Sequence, residues 1–201
     1  MEKATRYFWE NSEFPNQVGF VSPDGEATAR RWHEVFGAGP FFEVINDFDY
    51  ALHHGQKVGM KLHAYYACKG DFIVEIVQPL CDDPSFYTEY NDVSKPGMNH
   101  IHCVVSDLEE ACAAAERLGY EVITAAYVNA ANAQEKADVV KADLGATGYT
   151  KGKMSFAVVA MPDLGALVQF VEPISNKLYQ YIKAQSQGWD GVTDVVRPLL
   201  G

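Results

Sequence analysis

The chain has 201 residues, a formal net charge of −11 and a pI near 4.9. With 48% hydrophobic residues it has enough apolar surface for a packed core, which excludes a disordered chain. The acidic balance excludes nucleic-acid binding, which needs clustered Lys and Arg. No apolar run approaches the roughly 20 residues needed to span a bilayer. Met1 to Glu10 lacks the basic start and apolar stretch of a signal peptide, so a cytoplasmic protein is expected. The cysteines Cys68, Cys81, Cys103 and Cys112 form no CxxC pair and read as small hydrophobes, not disulfide or zinc-finger partners.

In chain order, Gln17-Val-Gly-Phe-Val-Ser-Pro-Asp24 alternates as a strand and ends on an acidic N-cap. Ala27, Trp32, Val35 and Phe36 then follow at helical spacing until Gly37 and Gly39 stop the helix. Strands are predicted at Phe41 to Ile45, Val58 to Ala67 and Phe72 to Pro79. The segment Cys81 to Gly97, polar and punctuated by Pro84 and Pro96, reads as a linker. The opening pattern then recurs: His100-Ile-His-Cys-Val-Val-Ser-Asp107 is a strand with an acidic cap, Leu108 to Leu118 is an Ala-rich helix, and Gly119 closes it. Strands follow at Glu121 to Val128, Lys153 to Met161 and Ala166 to Pro173. The second half is longer than the first by about a dozen residues, a surplus that falls within Asn129 to Tyr149, with a helical middle at Ala133 to Ala142 and a loop from Gly145 to Gly152. It reads as a lid or as a surface excursion. After Pro173 an amphipathic helix through Leu178, Tyr181 and Ile182 is predicted. Trp189 then packs the terminal arm onto the body or onto a second subunit.

The chain is thus a duplication. Its predicted fold is α+β, with two tandem βαβββ modules forming a cupped mixed β-sheet, helices outside and a C-terminal helical arm. The modules are 1–80 and 97–174, the second carrying the inserted loop 129–149, and the arm is 175–201. Gln17 and His100 each stand seven positions before their cap, and Glu75 and Gln169 each stand four before a proline. If the halves pair about a pseudo-twofold axis, these four residues meet. A polar residue in the middle of an apolar strand demands such a partner. One imidazole, one carboxylate and two amides suit a divalent ion (Zn, Ni, Co, Mn or Fe) with positions left for water or substrate. The other reading is a metal-free cup in which these groups bond one another or a ligand directly. His102 shares a face with His100, and His63 faces the cup beside Tyr65 in one of the two possible registers. His53 and His54 fall in a loop and His33 on the first helix, all expected at the surface. No nucleotide-cradle or familiar hydrolase motif occurs.

The two openings, Gln17 to Asp24 and His100 to Asp107, resemble module openings of the vicinal oxygen chelate superfamily, which includes glyoxalase I, methylmalonyl-CoA epimerase, extradiol dioxygenases and bleomycin resistance proteins. The closings Val74-Glu-Ile-Val-Gln-Pro79 and Val168-Gln-Phe-Val-Glu-Pro173 resemble its module ends. The resemblance covers Gln17 to Pro173. It implies Gln17, Glu75, His100 and Gln169 as metal ligands, and a metal-dependent lyase or isomerase that chelates neighbouring oxygens of a small carbonyl or aromatic metabolite. At the fourth position glyoxalase I and the epimerase carry a glutamate, and an amide cannot replace it as a base. The proton-transfer candidates are therefore Glu75, His102, His63 or a residue of the 129–149 loop. The alternatives are a metal-free resistance-type binding protein and an iron-dependent ring-cleaving dioxygenase. The resemblance also implies a homodimer.

Overall fold

The computed structural model describes residues 13–140, 152–171 and 174–199. The first module begins with β1 (Glu13–Val21) and α1 (Gly25–Phe36). Asp24 caps α1 as its sequence position requires: its Oδ1 accepts from the Ala27 amide at 2.9 Å. At the other end Gly37, at φ 63°, turns the chain away. Strands β2 (Phe41–Asp47), β3 (Tyr50–His53), β4 (Gln56–Val58), β5 (Lys61–Lys69) and β6 (Phe72–Pro79) follow. A short helix α2 (Phe86–Tyr90) occupies the linker.

The second module runs β7 (Gly97–Val104), α3 (Leu108–Arg117), β8 (Glu121–Tyr127), α4 (Ala130–Val140), β9 (Met154–Met161) and β10 (Ala166–Val171). Its helix repeats the first cap, with Asp107 Oδ1 accepting from the Glu110 amide at 2.9 Å. The arm supplies α5 (Ile174–Gln187) and a three-residue strand, β11 (Val196–Pro198). The helix expected at Ala133 to Ala142 is α4, which starts three residues earlier, and the stretch expected as a loop lies, but for its last residue, outside the described residues.

One sheet of 11 strands runs β11-β2-β5-β6-β1-β7-β10-β9-β8-β3-β4. The duplication is visible in this order. β2-β5-β6-β1 and β7-β10-β9-β8 are mirror sequences about the β1–β7 seam, each with one parallel pair next to the seam and antiparallel pairs beyond it. At the seam, antiparallel pairing sets Gln17 opposite His102 and Gly19 opposite His100. The two pairs exchange under the pseudo-twofold.

Two strands depart from the predicted plan. The stretch expected as one strand from Val58 divides at Gly59, and β3 and β4 form a hairpin with the two-residue turn His54-Gly55. Both turn residues have positive φ, 46° and 74°, the geometry that lets a two-residue turn follow the twist of its strands. This hairpin leaves its own module and pairs with β8 of the other. Only Phe48 and Asp49 join β2, near one end of the sheet, to β3, near the other. The sheet must therefore curl until its two ends are neighbours, which makes it a cup.

Alternation along each strand sorts side chains between the cup and the outer helices. Ala67, Val74 and Ile76 pack under α1, and Val159, Val168 and Phe170 pack under α3. Val21, Leu62, Tyr66, Val104, Phe156 and Leu167 face inward, where Phe86 of α2 and Tyr179 and Ile182 of α5 complete the core.

Candidate active site in the cup

The residues that the duplication singles out sit on the four strands next to the seam. Gln17 and Gly19 share the inward face of β1 with Val21, and Glu75 lies between Ile73 and Val77 on β6. His100 and His102 precede Val104 on β7, and Gln169 lies between Leu167 and Val171 on β10. All four expected ligands are therefore inward, and all are nearly fully buried.

Three of them meet. Gln17 Nε2 donates to Glu75 Oε2 at 2.8 Å, and His100 Nε2 stands 3.1 Å from the same oxygen. Gln169 is placed on β10 as Glu75 is on β6 and lines the same cavity, but it makes no side-chain bond to the other three. The His100 ring reaches Glu75 because Gly19 is opposite it: a Cβ at position 19 would lie 2.1 Å from Cε1 of the imidazole.

The hydrogen bonds around Asn99 fix the proton on one nitrogen of His100. Asn99 Nδ2 is directed at Asn91 Oδ1 (2.5 Å) and at the Phe86 carbonyl (3.4 Å), so its amide oxygen must be the atom 2.9 Å from His100 Nδ1. That oxygen only accepts, so Nδ1 carries a proton, and the 3.1 Å contact from Nε2 to the Glu75 carboxylate calls for a second proton or a cation between the two atoms. Gln17 Oε1, buried beside them, has no partner. An imidazole nitrogen and a carboxylate oxygen 3.1 Å apart, with a partnerless amide oxygen alongside, are a donor set that suits a cation. A ligating histidine typically has its second nitrogen held in this way.

Glu75 also forms the floor of a cavity of about 120 Å³. Its rim includes Asn132 and Lys136 of α4, so the inserted segment covers the cup. A chain of hydrogen bonds descends from there. Lys136 Nζ donates to Asn46 Oδ1 (2.5 Å), and Asn46 Nδ2 donates to the Tyr66 hydroxyl (3.1 Å). Tyr66 in turn stands opposite Glu75 across the β5–β6 pair. Lys136 is partly buried on α4 with its ammonium against Asn46 in the cavity wall, and desolvation there pushes its pKa down to about 8. Burial, then the Glu75 charge, pushes the Tyr66 phenol well above its usual value.

The two other histidines proposed for proton transfer lie elsewhere. His63 pairs with Ile45 and Gln78, the register that points it outward. There it stands 3.0 Å from Glu43 Oε2 and 3.1 Å from the Tyr65 hydroxyl, on the opposite face of the sheet from Glu75. His102 does face inward but is wholly buried, with Nε2 3.1 Å from the Tyr179 hydroxyl and Nδ1 without a partner. Burial, and then the neighbouring His100, pushes its pKa down to about 3, so its ring is neutral near pH 7. His53, expected at the surface, is a buried strand end.

Reasoning from the sequence missed Asn46, and it named the 129–149 segment as a source of a proton-transfer group without singling out Lys136. Lys136 had a signal: it shares a helix face with Ala133 and Ala137, so a lone charge stands in a stripe of small residues. Asn46 had none beyond being polar within β2.

Similarity to known proteins agrees with the mirrored sheet. Comparison with curated protein sequences finds no significant match. Among solved structures, a hypothetical protein from Bacillus halodurans C-125 matches with a TM-score of 0.50 at 14% identity, covering 81% of this chain and 95% of its own. Methylmalonyl-CoA epimerase from Mycobacterium tuberculosis matches with a TM-score of 0.49 at 19% identity, covering 79% and 87%. At 14% identity the Bacillus halodurans structure speaks for the fold alone. A sequence profile of the Glyoxalase/Bleomycin resistance protein/Dioxygenase superfamily matches residues 16–137, well over half the chain. On that match and on the mirrored sheet, the chain belongs to the glyoxalase/bleomycin resistance protein/dioxygenase superfamily.

Proposed function

We propose that the protein is a metal-dependent lyase or isomerase acting on a small carbonyl compound, with Gln17, Glu75, His100 and Gln169 holding a divalent ion. The observation that carries this reading is the convergence of His100 Nε2 on Glu75 Oε2 at 3.1 Å beside the partnerless Gln17 oxygen, with Nδ1 held from behind by Asn99. Gln17 would rotate its amide to present Oε1, and Gln169 would complete the set from the cavity wall. When bound, the ion would act as a Lewis acid, stabilising negative charge on the substrate oxygens.

The chain's own groups do the rest. The cavity suits a molecule of a few heavy atoms, with Glu75 at its floor and the Lys136 ammonium at its rim. Lys136 is the cavity group with a pKa displaced toward neutrality, which matches it to proton transfer better than the outward His63 or the enclosed His102. Asn46 holds it in place. The cover of α4 keeps water from the reacting oxygens and strengthens each charge beneath it.

A second reading, a metal-free binding protein, draws on the Gln17–Glu75 bond, which already occupies the carboxylate. Metal analysis separates the two. Protein purified without chelator, or soaked with zinc, nickel, cobalt, manganese or iron, is expected to hold one ion per chain that His100→Ala loses. Gln169→Ala should weaken it less. If wild type and His100→Ala take up equal amounts of every ion, the cup is not a metal site and the binding-protein reading stands.

A further inference from the structure

A second set of metal-ligating side chains lies away from the cup, where the β3–β4 hairpin meets the linker helix α2. The turn His54-Gly55 requires positive φ at both residues, a backbone that favours glycine or asparagine at its first position, yet histidine stands there at φ 46°. The conformation carries its ring across to α2. His54 Nε2 lies 2.9 Å from Glu89 Oε2, and His53 Nε2 lies 3.2 Å from the same oxygen.

The remaining nitrogen of each ring is also held. His54 Nδ1 faces Glu121 Oε1 at 2.8 Å, and a carboxylate only accepts, so the proton is on Nδ1. His53 Nδ1 stands 2.9 Å from the buried Thr124 hydroxyl, which can accept likewise. With Nδ1 so held, loss of the proton from each Nε2 to an incoming ion would turn two lone pairs toward one carboxylate oxygen, the arrangement of ligating histidines whose orientation is set from behind. The three ligand atoms all lie within 4.8 Å of one another. A tetrahedral ion with bonds of about 2.0–2.1 Å separates its ligand atoms by about 3.3 Å, so the 3.2 and 2.9 Å spacings from the two rings to Glu89 need open by only a few tenths of an ångström to admit one. His53 is enclosed, whereas His54 and Glu89 are 40% exposed, which leaves an entry path and a position for water.

We propose that His53, His54 and Glu89 form a second metal site for a zinc-like divalent ion, with Glu121 and Thr124 orienting the two imidazoles. Two nitrogens and one carboxylate match the preference of borderline transition ions over calcium or magnesium. The ion would tie the hairpin that closes the cup to the helix that links the modules, with β8 behind it. It would bind the folded chain and not the unfolded one, and so stabilise it.

Zinc and cobalt(II) are the probes. Stripped wild type should take up one more zinc per chain than His54→Asn or Glu89→Gln, whether or not the cup binds zinc too. Asparagine suits the positive φ, so His54→Asn should keep the turn. In His100→Ala, where the cup has lost a ligand, zinc at a hundred times its Kd should still raise the melting temperature by about 5–10 °C. Cobalt should give the intense visible absorption of a four- or five-coordinate ion, and both effects should vanish in His100→Ala/His54→Asn. Equal zinc uptake by wild type, His54→Asn and Glu89→Gln would overturn the proposal while leaving the cup's own reading untouched. If His100→Ala does not fold, the difference in uptake between wild type and the two single variants still decides.

Discussion

Gly19 is the residue on which the cup's polar centre turns. The seam pairs it with His100, and the imidazole occupies the space that any Cβ would take. The ring has nowhere else to go: Asn99 holds its Nδ1, and Phe86 and Tyr87 pack edge-on at 5.8 and 6.2 Å. Gly19→Ala is therefore expected to cost about 1–3 kcal/mol as an overpacking substitution. It should also displace His100 and lose any cup-bound ion together with stability. Urea unfolding and metal content, measured on the same sample, check both. Unchanged stability would mean that the ring has room the structure denies it. Lys136 makes a separate prediction. Its folded pKa of about 8 lies below the unfolded lysine value, so between pH 8 and about 10.4 the unfolded chain binds more protons than the folded one. Stability should then rise with pH across that window, because the penalty for burying the charged ammonium applies in full only below pH 8. Melting curves of wild type and Lys136→Met, compared between pH 7 and 10, should converge at the alkaline end. Parallel curves would place the ammonium in water.

Elements with a strong local code were legible. The two Asp-capped helices follow from the residues at their ends, and the inward placing of Gln17, Glu75, His100 and Gln169 follows from strand alternation. The hairpin β3–β4 was not, because strands of four and three residues carry too little alternation to stand out. Its one sign was His54-Gly55, a two-residue turn with histidine where asparagine is the usual signal. The outward His63 was undecidable from the sequence, since a shift of one residue exchanges the faces of β5. Helix α5 looked amphipathic, yet nothing in its own sequence said that Tyr179 would cover His102. That contact is testable. His102 has one buried nitrogen without a partner already, and Tyr179→Phe would strand the other. Leaving a buried polar atom unpaired costs about 1–3 kcal/mol, which denaturant unfolding would register. A variant as stable as wild type would show that water reaches His102 in place of the phenol.

At the scale of the whole molecule, closure is what the duplication alone does not provide. Two mirrored four-stranded units joined at one seam would leave two free edges, β2 and β8. The hairpin β3–β4 covers β8, and the arm covers β2 by adding β11 in parallel, Val196 beside Phe41. The arm is fastened at two further points. Trp189 packs over Gly39, where an added Cβ would meet its ring at 2.7 Å, and Leu199 is buried. An exposed edge of the sheet offers unpaired amides and carbonyls to another chain. Deleting residues 188–201 is therefore expected to do two things at once. It should lower the melting temperature by removing the contacts of Trp189 and Leu199, and it should promote concentration-dependent self-association through the bared β2 edge. Trp189→Ala should reproduce the first effect in milder form without the second, because β11 would still occupy the edge. Light scattering across a concentration series, beside thermal melts of both variants, distinguishes these outcomes. A truncated chain that melts lower but scatters like wild type would mean that β2 is protected by its own twist and side chains, and that the arm serves stability alone.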